Sequence, residues 1–221
     1  MRYAILSDVH GREARLHRAL DDAAMRSAEQ IVTLGDVGAD ACQTVLRQAG
    51  AMGCFGNYEV SGWRGLNRAN RGWVRRLPPM WHGEGFLAAH AAPYWPKGLE
   101  TIVDFGRWMR ESRRRWRDLF PYLSDDEEAR WRSLAVLEAT RIPLFFHGHT
   151  HQQAVWHWSS DGHLRSRQER VLEVPQDGHR YLVGVGSIGV PEDGGPPGYG
   201  LYDSQTRRVE LIRIVLPTRR V

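Results

Sequence analysis

Four short runs in this sequence carry side chains able to do chemistry: Asp8-Val9-His10, Gly35-Asp36, Gly56-Asn57 and Gly148-His149-Thr150-His151. Asp8 and His10, like His149 and His151, stand two residues apart. On an extended backbone that spacing puts both side chains on one side. The glycines at 35, 56 and 148 allow close backbone approach or dihedrals that other residues avoid. Imidazole, carboxylate and amide oxygen together suit borderline divalent cations such as manganese, iron or zinc.

Each run ends a stretch that reads as a strand. Arg2–Leu6 is a buried strand, followed by a helix over residues 12–28 with Leu16, Ala19, Leu20, Ala23 and Ala24 at helical spacing. Ile31–Leu34 is a second strand, Ala41–Gln48 a helix, Ala51–Phe55 a third strand, and Gly85–Ala89 a fourth that ends at His90. This alternation predicts an α/β sheet, whose strand C-termini send their loops into one crevice. Between residues 94 and 142 the pattern changes to an apolar stripe of Ile102, Phe105, Met109, Trp116 and Phe120. Arg107, Arg110, Arg113, Arg114 and Arg117 lie opposite it. Ser124 with Glu127 fits a capping box for a second helix, closed by Pro143, so the segment reads as a helical hairpin inserted between strands. Pro143–Phe146 resumes the sheet, and Val155–Trp158, Val171–Val174, Tyr181–Val185, Tyr199–Asp203 and Arg208–Val215 are further strands. The expected architecture is α/β (α+β layered): a four-layer α/β/β/α sandwich of two mixed sheets, one domain over residues 1–221.

The ordered set of motifs, with His90 in Ala89-His90-Ala91-Ala92-Pro93 and the later Gly186-Ser187-Ile188-Gly189, resembles the calcineurin-like metallophosphoesterase superfamily. Within it, the chain is most similar to the small bacterial and archaeal phosphodiesterases, a group that includes diadenosine-tetraphosphatase-like proteins. The resemblance implies two divalent metal ions, manganese foremost, with iron, zinc, nickel or magnesium as alternatives. Asp8, His10, Asp36 and His151 would hold the first. Asp36 would bridge to the second, completed by Asn57, His90 and His149. A hydroxide held between the ions would attack phosphorus in line, which makes Asp36, Asn57, Tyr58 and His90 the candidate catalytic residues. His82 is the neighbouring rival to His90, and Asn57 could instead serve as a turn residue. His17, His147, His157, His163 and His179 match no motif and read as surface or packing residues.

Where many relatives read Gly-Asn-His, with the histidine protonating the leaving group, this chain reads Gly56-Asn57-Tyr58-Glu59. A phenol, with a pKa of about 10, is a poorer acid at neutral pH than an imidazole of about 6.5. Loss of a positioned acid costs on the order of 10²–10⁴-fold, mostly on poor leaving groups. The expected substrates are therefore phosphodiesters or nucleotide pyrophosphates. A phosphomonoesterase or protein phosphatase, and a scaffold without activity like the retromer subunit of the superfamily, are the alternatives. Tyr58 could contact substrate or merely close the pocket. Arg12 could touch phosphate or face solvent, and Tyr94, Trp95 or Trp108 could stack a base under a helical cap.

The composition narrows the class. With 221 residues, 42% of them hydrophobic, the chain can bury a large core. A net charge of +4 is too mild to predict a stable nucleic-acid complex, though it suits a small phosphorylated substrate such as a nucleotide. Two cysteines form no disulfide framework, the N-terminus is charged too early for a signal peptide, and no run reaches the roughly 20 apolar residues of a membrane span. The expected compartment is the cytoplasm. Composition leaves the oligomeric state undetermined.

Overall fold

A computed structural model describes residues 1–111, 115–175 and 178–215 of the chain, leaving Arg113 and Arg114 of the expected arginine face outside the described residues. Two mixed sheets of six strands each, together with six α-helices among the described residues, build the layered α/β fold. The first sheet orders its strands as β3 (Met52–Gly53), β2 (Gln30–Thr33), β1 (Arg2–Leu6), β11 (Gly198–Asp203), β12 (Arg208–Arg213) and β9 (Val171–Glu173). The second runs β4 (Met80–Gly83), β5 (Phe86–Ala89), β6 (Leu144–His147), β10 (His179–Val185), β7 (Gln153–Ser159) and β8 (Leu164–Arg167). Strands β1, β2 and β3 pair in parallel, as do β5, β6 and β10; the other pairings are antiparallel. All seven candidate ligands thus follow parallel strands and emerge at one end of the sandwich, Asn57 after the short β3.

Alternation along each strand divides the interior. In β1, Tyr3 and Ile5 face the second sheet, while Ala4 and Leu6 face the helices α1 (Glu13–Met25) and α2 (Asp40–Gln48). Between the sheets, Phe86 meets Phe146 and Tyr202 edge-on, both at 5.3 Å. Leu87, Phe145 and Leu182 turn to the outer face of the second sheet, where Leu134 and Leu137 of α6 (Glu127–Thr140) cover them. The expected strands are present with edges moved by at most two residues, and the third shrinks from Ala51–Phe55 to Met52–Gly53. Helices α3 (Asn57–Gly62) and α4 (Arg68–Val74) and strands β4 and β8 were not legible, being short and broken by glycine, proline or arginine.

The inserted segment departs from a hairpin. Helix α5 (Ile102–Glu111) packs on α3 and sends Phe105 against Phe55, whereas α6 packs on β10 in the opposite outer layer. Trp116 and Phe120 lie beyond α5, in a 3-10 turn at Trp116–Asp118 and the residues after it, so the apolar stripe is not one helix. The cap of α6 is Asp126, whose Oδ1 accepts the Ala129 amide at 2.9 Å; Ser124 Oγ instead donates to Asp125 Oδ1. An ionised carboxylate directly before the first turn complements the helix dipole better than a hydroxyl two residues earlier. Among the described residues, no helix is long and apolar enough to cross a membrane.

Candidate metal centre

The loops after β1, β2 and β6 owe their shape to an unusual backbone. Asp8, His10, Asp36, His149 and His151 have φ of 54°, 47°, 51°, 62° and 55°, in the left-handed region that non-glycine residues seldom occupy. The i, i+2 pairs therefore converge through left-handed turns and not, as their spacing predicted, along extended chain. Such conformations persist where the surroundings over-determine them, and they gather at functional sites.

Glycine and one buried carboxylate supply that determination. A Cβ on Gly56 would come within 2.7 Å of the Asp36 amide nitrogen and 2.9 Å of His90 Nδ1. One on Gly148 would strike Ser7 and approach Asp8 Oδ2 to 2.6 Å. Glu59, 3% exposed, accepts the amides of Asp36 (2.7 Å), Val37 (2.9 Å) and Gly56 (2.9 Å) and the Gln43 side-chain amide (2.9 Å). It ties the loop after β2 to the start of α3. Ser187 does the same for the first loop, donating to the Asp8 carbonyl at 2.8 Å while accepting the amides of Gly189 and Val190.

Seven side chains meet at this end of the sandwich. His10 Nε2 and His151 Nε2 are 3.0 Å apart, and they stand 3.7 and 3.3 Å from Asp8 Oδ1. Asp8 Oδ2 accepts the His149 amide at 2.9 Å. His90 Nδ1 lies 2.8 Å from the Leu34 carbonyl and must donate its proton there, which in the neutral ring leaves a lone pair on Nε2. That lone pair faces Asn57 Oδ1 at 2.9 Å and Asp36 Oδ1 at 3.5 Å, so three electron-rich atoms point at one another. His149 Nε2 is buried without a partner, although its ring lies 4.9 Å from that of His90. Lone pairs converging in this way, with oxygen and imidazole donors, fit divalent cations. Two groups, Asp8–His10–His151 and Asp8–Asp36–His90, each hold their donor atoms within 4.8 Å of one another, and Asp8 belongs to both.

The electrostatics separate the two carboxylates. Burial works to raise the pKa of Asp8, but hydrogen bonding to His10 and His151 and the attraction of His90 outweigh it and hold the carboxyl far below its ordinary range. Asp36 is pushed up to about 6 by burial, reinforced by Glu59 and Asp8 and opposed by His90. Burial drives the His149 pKa down to about 3, keeping the ring neutral and its lone pair free. For His151 burial lowers the pKa, yet Asp8 overrides it and leaves the ring more basic than usual. Glu192 Oε1 stands 3.1 Å from His151 Nδ1 on the far side of that ring, an ion-pair distance without hydrogen-bond geometry.

Other candidates fall elsewhere. His82 is exposed on β4, and Arg12 is exposed at the start of α1 with no side-chain partner among the described residues. Tyr58, 53% exposed, sets its ring edge-on to His10 at 4.8 Å. Tyr94, Trp95 and Trp108 line a separate cleft between α5 and α6, where the Arg132 guanidinium lies 4.0 Å over the Tyr94 ring. The aromatic residues that the insertion brings to the site are Phe120, 5.6 Å from His90, and Tyr122, 4.2 Å from His149. Spacing marks Phe120 only as part of the apolar stripe, and nothing marks Tyr122. Glu59 and Glu192 were visible only as neighbours of the Gly-Asn and Gly-Ser-Ile-Gly runs. His157 pairs with His179 at 2.8 Å well away from the cluster, and Cys54 is buried beside it, its thiol pushed up by burial.

Residues 1–207 match the calcineurin-like phosphoesterase superfamily domain. The chain belongs to that superfamily. Calcineurin-like phosphoesterases are hydrolases that bind divalent metals, and the Asp/His groups above could hold such ions here. An uncharacterized protein of Methanocaldococcus jannaschii is 25% identical over 229 residues, covering 96% of this chain and 86% of its own. A metallophosphoesterase of Sphaerobacter thermophilus shares the fold with a TM-score of 0.72 at 20% identity, over 98% of this chain and 89% of that one. A phosphodiesterase of archaeal origin superposes with a TM-score of 0.52 at 14% identity, covering 96% and 99%.

Proposed function

We propose that this calcineurin-like protein hydrolyses phosphodiesters or nucleotide pyrophosphates at a centre of two divalent ions. The supporting observation is the convergence of His10, His151, Asp8, Asp36, Asn57 and His90 donor atoms, with Asp8 common to two groups of three. Asp8, His10, Asp36 and His151 would hold one ion, and Asp36, Asn57, His90 and His149 the other, with the Asp8 carboxylate close enough to contribute to both groups of donors. When bound, the ions polarise the phosphoryl group and lower the pKa of the attacking water. The protein's own residues do the rest. Asp8 and Asp36 supply two negative charges, fewer than two divalent cations carry, so the pocket stays positive and draws in phosphate. Glu59 and Leu34 fix the Asp36 backbone and the His90 ring before substrate arrives. Tyr58 stands where an acid would protonate the leaving group, and as a phenol it favours leaving groups that depart unaided. That preference supports diesters with aryl or nucleotide leaving groups, as does the likeness to an archaeal phosphodiesterase. A cytoplasmic location and a single domain agree with the two buried, unpaired cysteines and the continuous cores.

The test is hydrolysis of bis-p-nitrophenyl phosphate by the manganese-loaded protein, beside Asp36→Asn. A metal-dependent rate at least 100-fold above the variant is expected. Equal rates in both proteins overturn the reading and leave a scaffold.

A further inference from the structure

Beside the metal centre lies a cleft of about 440 Å³ that shares His10 and Tyr58 with it. Gln43, Gly62, Trp63 and Leu66 form much of its remaining wall. The charge balance of this cleft is unlike that of the centre. No lysine or arginine lines it, and its one carboxylate, Glu59, is already engaged by four donors. A phosphate has nothing to bind there; an uncharged planar group does.

Two wall residues carry unmet hydrogen-bonding capacity of opposite sense. Gln43 is 1% exposed, and its Nε2 donates to Glu59 Oε1. A carboxylate only accepts, so the amide cannot be flipped, and Gln43 Oε1 is left as a buried acceptor with no donor. Trp63 is 7% exposed, with the Arg64 and Arg75 guanidiniums 4.8 and 5.5 Å from its ring, and its indole N–H is a buried donor with no acceptor. Buried polar groups are normally paired, and these two orphans of complementary kind belong to residues of one cleft wall, so a ligand offering both an acceptor and a donor would satisfy them once the two side chains turn toward it. Every nucleobase presents both on one edge, and its flat apolar face matches Leu66 in the same wall.

We infer that this cleft is a nucleobase subsite, in which Gln43 Oε1 and Trp63 Nε1 turn toward the base edge while the attached phosphate lies at the metal centre beyond His10. The inference rests on the phosphoester reading above and narrows its substrates to nucleotide esters. It makes Gln43 and Trp63 specificity-determining residues, set apart from the metal-holding groups.

Calorimetric titration of the manganese-loaded protein with 5′-AMP and with ribose 5-phosphate tests it, because the two probes share the phosphate and differ by the base. AMP is expected to bind at least tenfold more tightly. Gly62→Phe fills the cleft: a Cβ at Gly62 meets nothing within 4 Å and its φ of −116° suits any residue, so folding is spared. That variant should remove the margin, and Trp63→Phe, which keeps a ring but loses the N–H, should reduce it at least threefold. Manganese content by elemental analysis checks that each variant retains the centre. A margin below tenfold, or one that either variant leaves intact, overturns the subsite. Hydrolysis of bis-p-nitrophenyl phosphate against Asp36→Asn reads the phosphoester reaction separately, so either idea can fail alone.

Discussion

The Nε2 atoms of His10 and His151, 141 residues apart in sequence, come within 3.0 Å of one another, and both face the same oxygen of Asp8. Asp8 also stands in the second group with Asp36 and His90, so its loss reaches further than that of any single histidine. Asp8→Asn is expected to bring bound manganese from two ions per chain to none, and Asn57→Ala to leave one. Elemental analysis of dialysed protein decides between that pattern and independent losses.

Glu59 touches no substrate, yet it holds three backbone amides and one side chain in place. Glu59→Gln removes the charge and turns an NH2 toward donors. With hydrogen bonds to charged groups each worth about 1.5–3 kcal/mol, a loss of roughly 3 kcal/mol is expected in urea denaturation of chelated protein. A change below about 1 kcal/mol would show that the loop holds itself.

Asp36 ties metal affinity to pH. Its carboxyl is raised above the usual value of 3.8 to about 6, so between those values the folded chain binds a proton that the unfolded chain has lost. The stabilisation this gives the metal-free protein is complete below 3.8 and disappears as pH climbs through 6. The same proton competes with the cation. Manganese affinity should therefore weaken by about tenfold more for each pH unit below 6 in the native protein than in Asp36→Asn, while the proton on the more basic His151 competes with the cation in both.

His147 acts with the opposite sign. Fully buried behind the centre, it has its pKa driven by desolvation from 6.5 to about 4. Between those values the unfolded chain takes up a proton that the folded one refuses, so stability present above 6.5 is lost as pH falls to 4. Thermal denaturation of the metal-free protein should show a Tm that falls across this window, and His147→Gln should fall less steeply. Identical slopes would assign the acid sensitivity to other groups.

Tyr58 is replaceable without touching the core, being half exposed beside His10. Tyr58→His should raise turnover on alkyl phosphodiesters by about tenfold or more and change aryl esters little. A uniform effect on both classes would mean the phenol acts by contact and not through its weak acidity.

The candidate ligands were legible because most sit in short motifs just after a strand of apolar pattern, several of them beside a glycine. The sandwich was legible for the same reason, since runs such as Leu144-Phe145-Phe146 are apolar on both faces. The left-handed backbone at Asp8, His10, Asp36, His149 and His151 was not, because only glycine announces that conformation in a sequence. Phe120 and Tyr122 reach the histidines from the insertion through packing of distant elements, which no local period encodes. The insertion differs from a hairpin for a related reason: the periodicity of residues 102–120 shows that an apolar face exists but not which layer receives it.

The seven candidate ligand positions are divided between the sheets, with Asp8, His10, Asp36 and Asn57 after strands of the first and His90, His149 and His151 after strands of the second. Cations seated among them would rivet the two halves of the sandwich at one rim. Chelation of such cations would then do more than silence the proposed chemistry: it would unfasten that rim, and the loops there would become the place where proteases first enter and where heat first parts the layers.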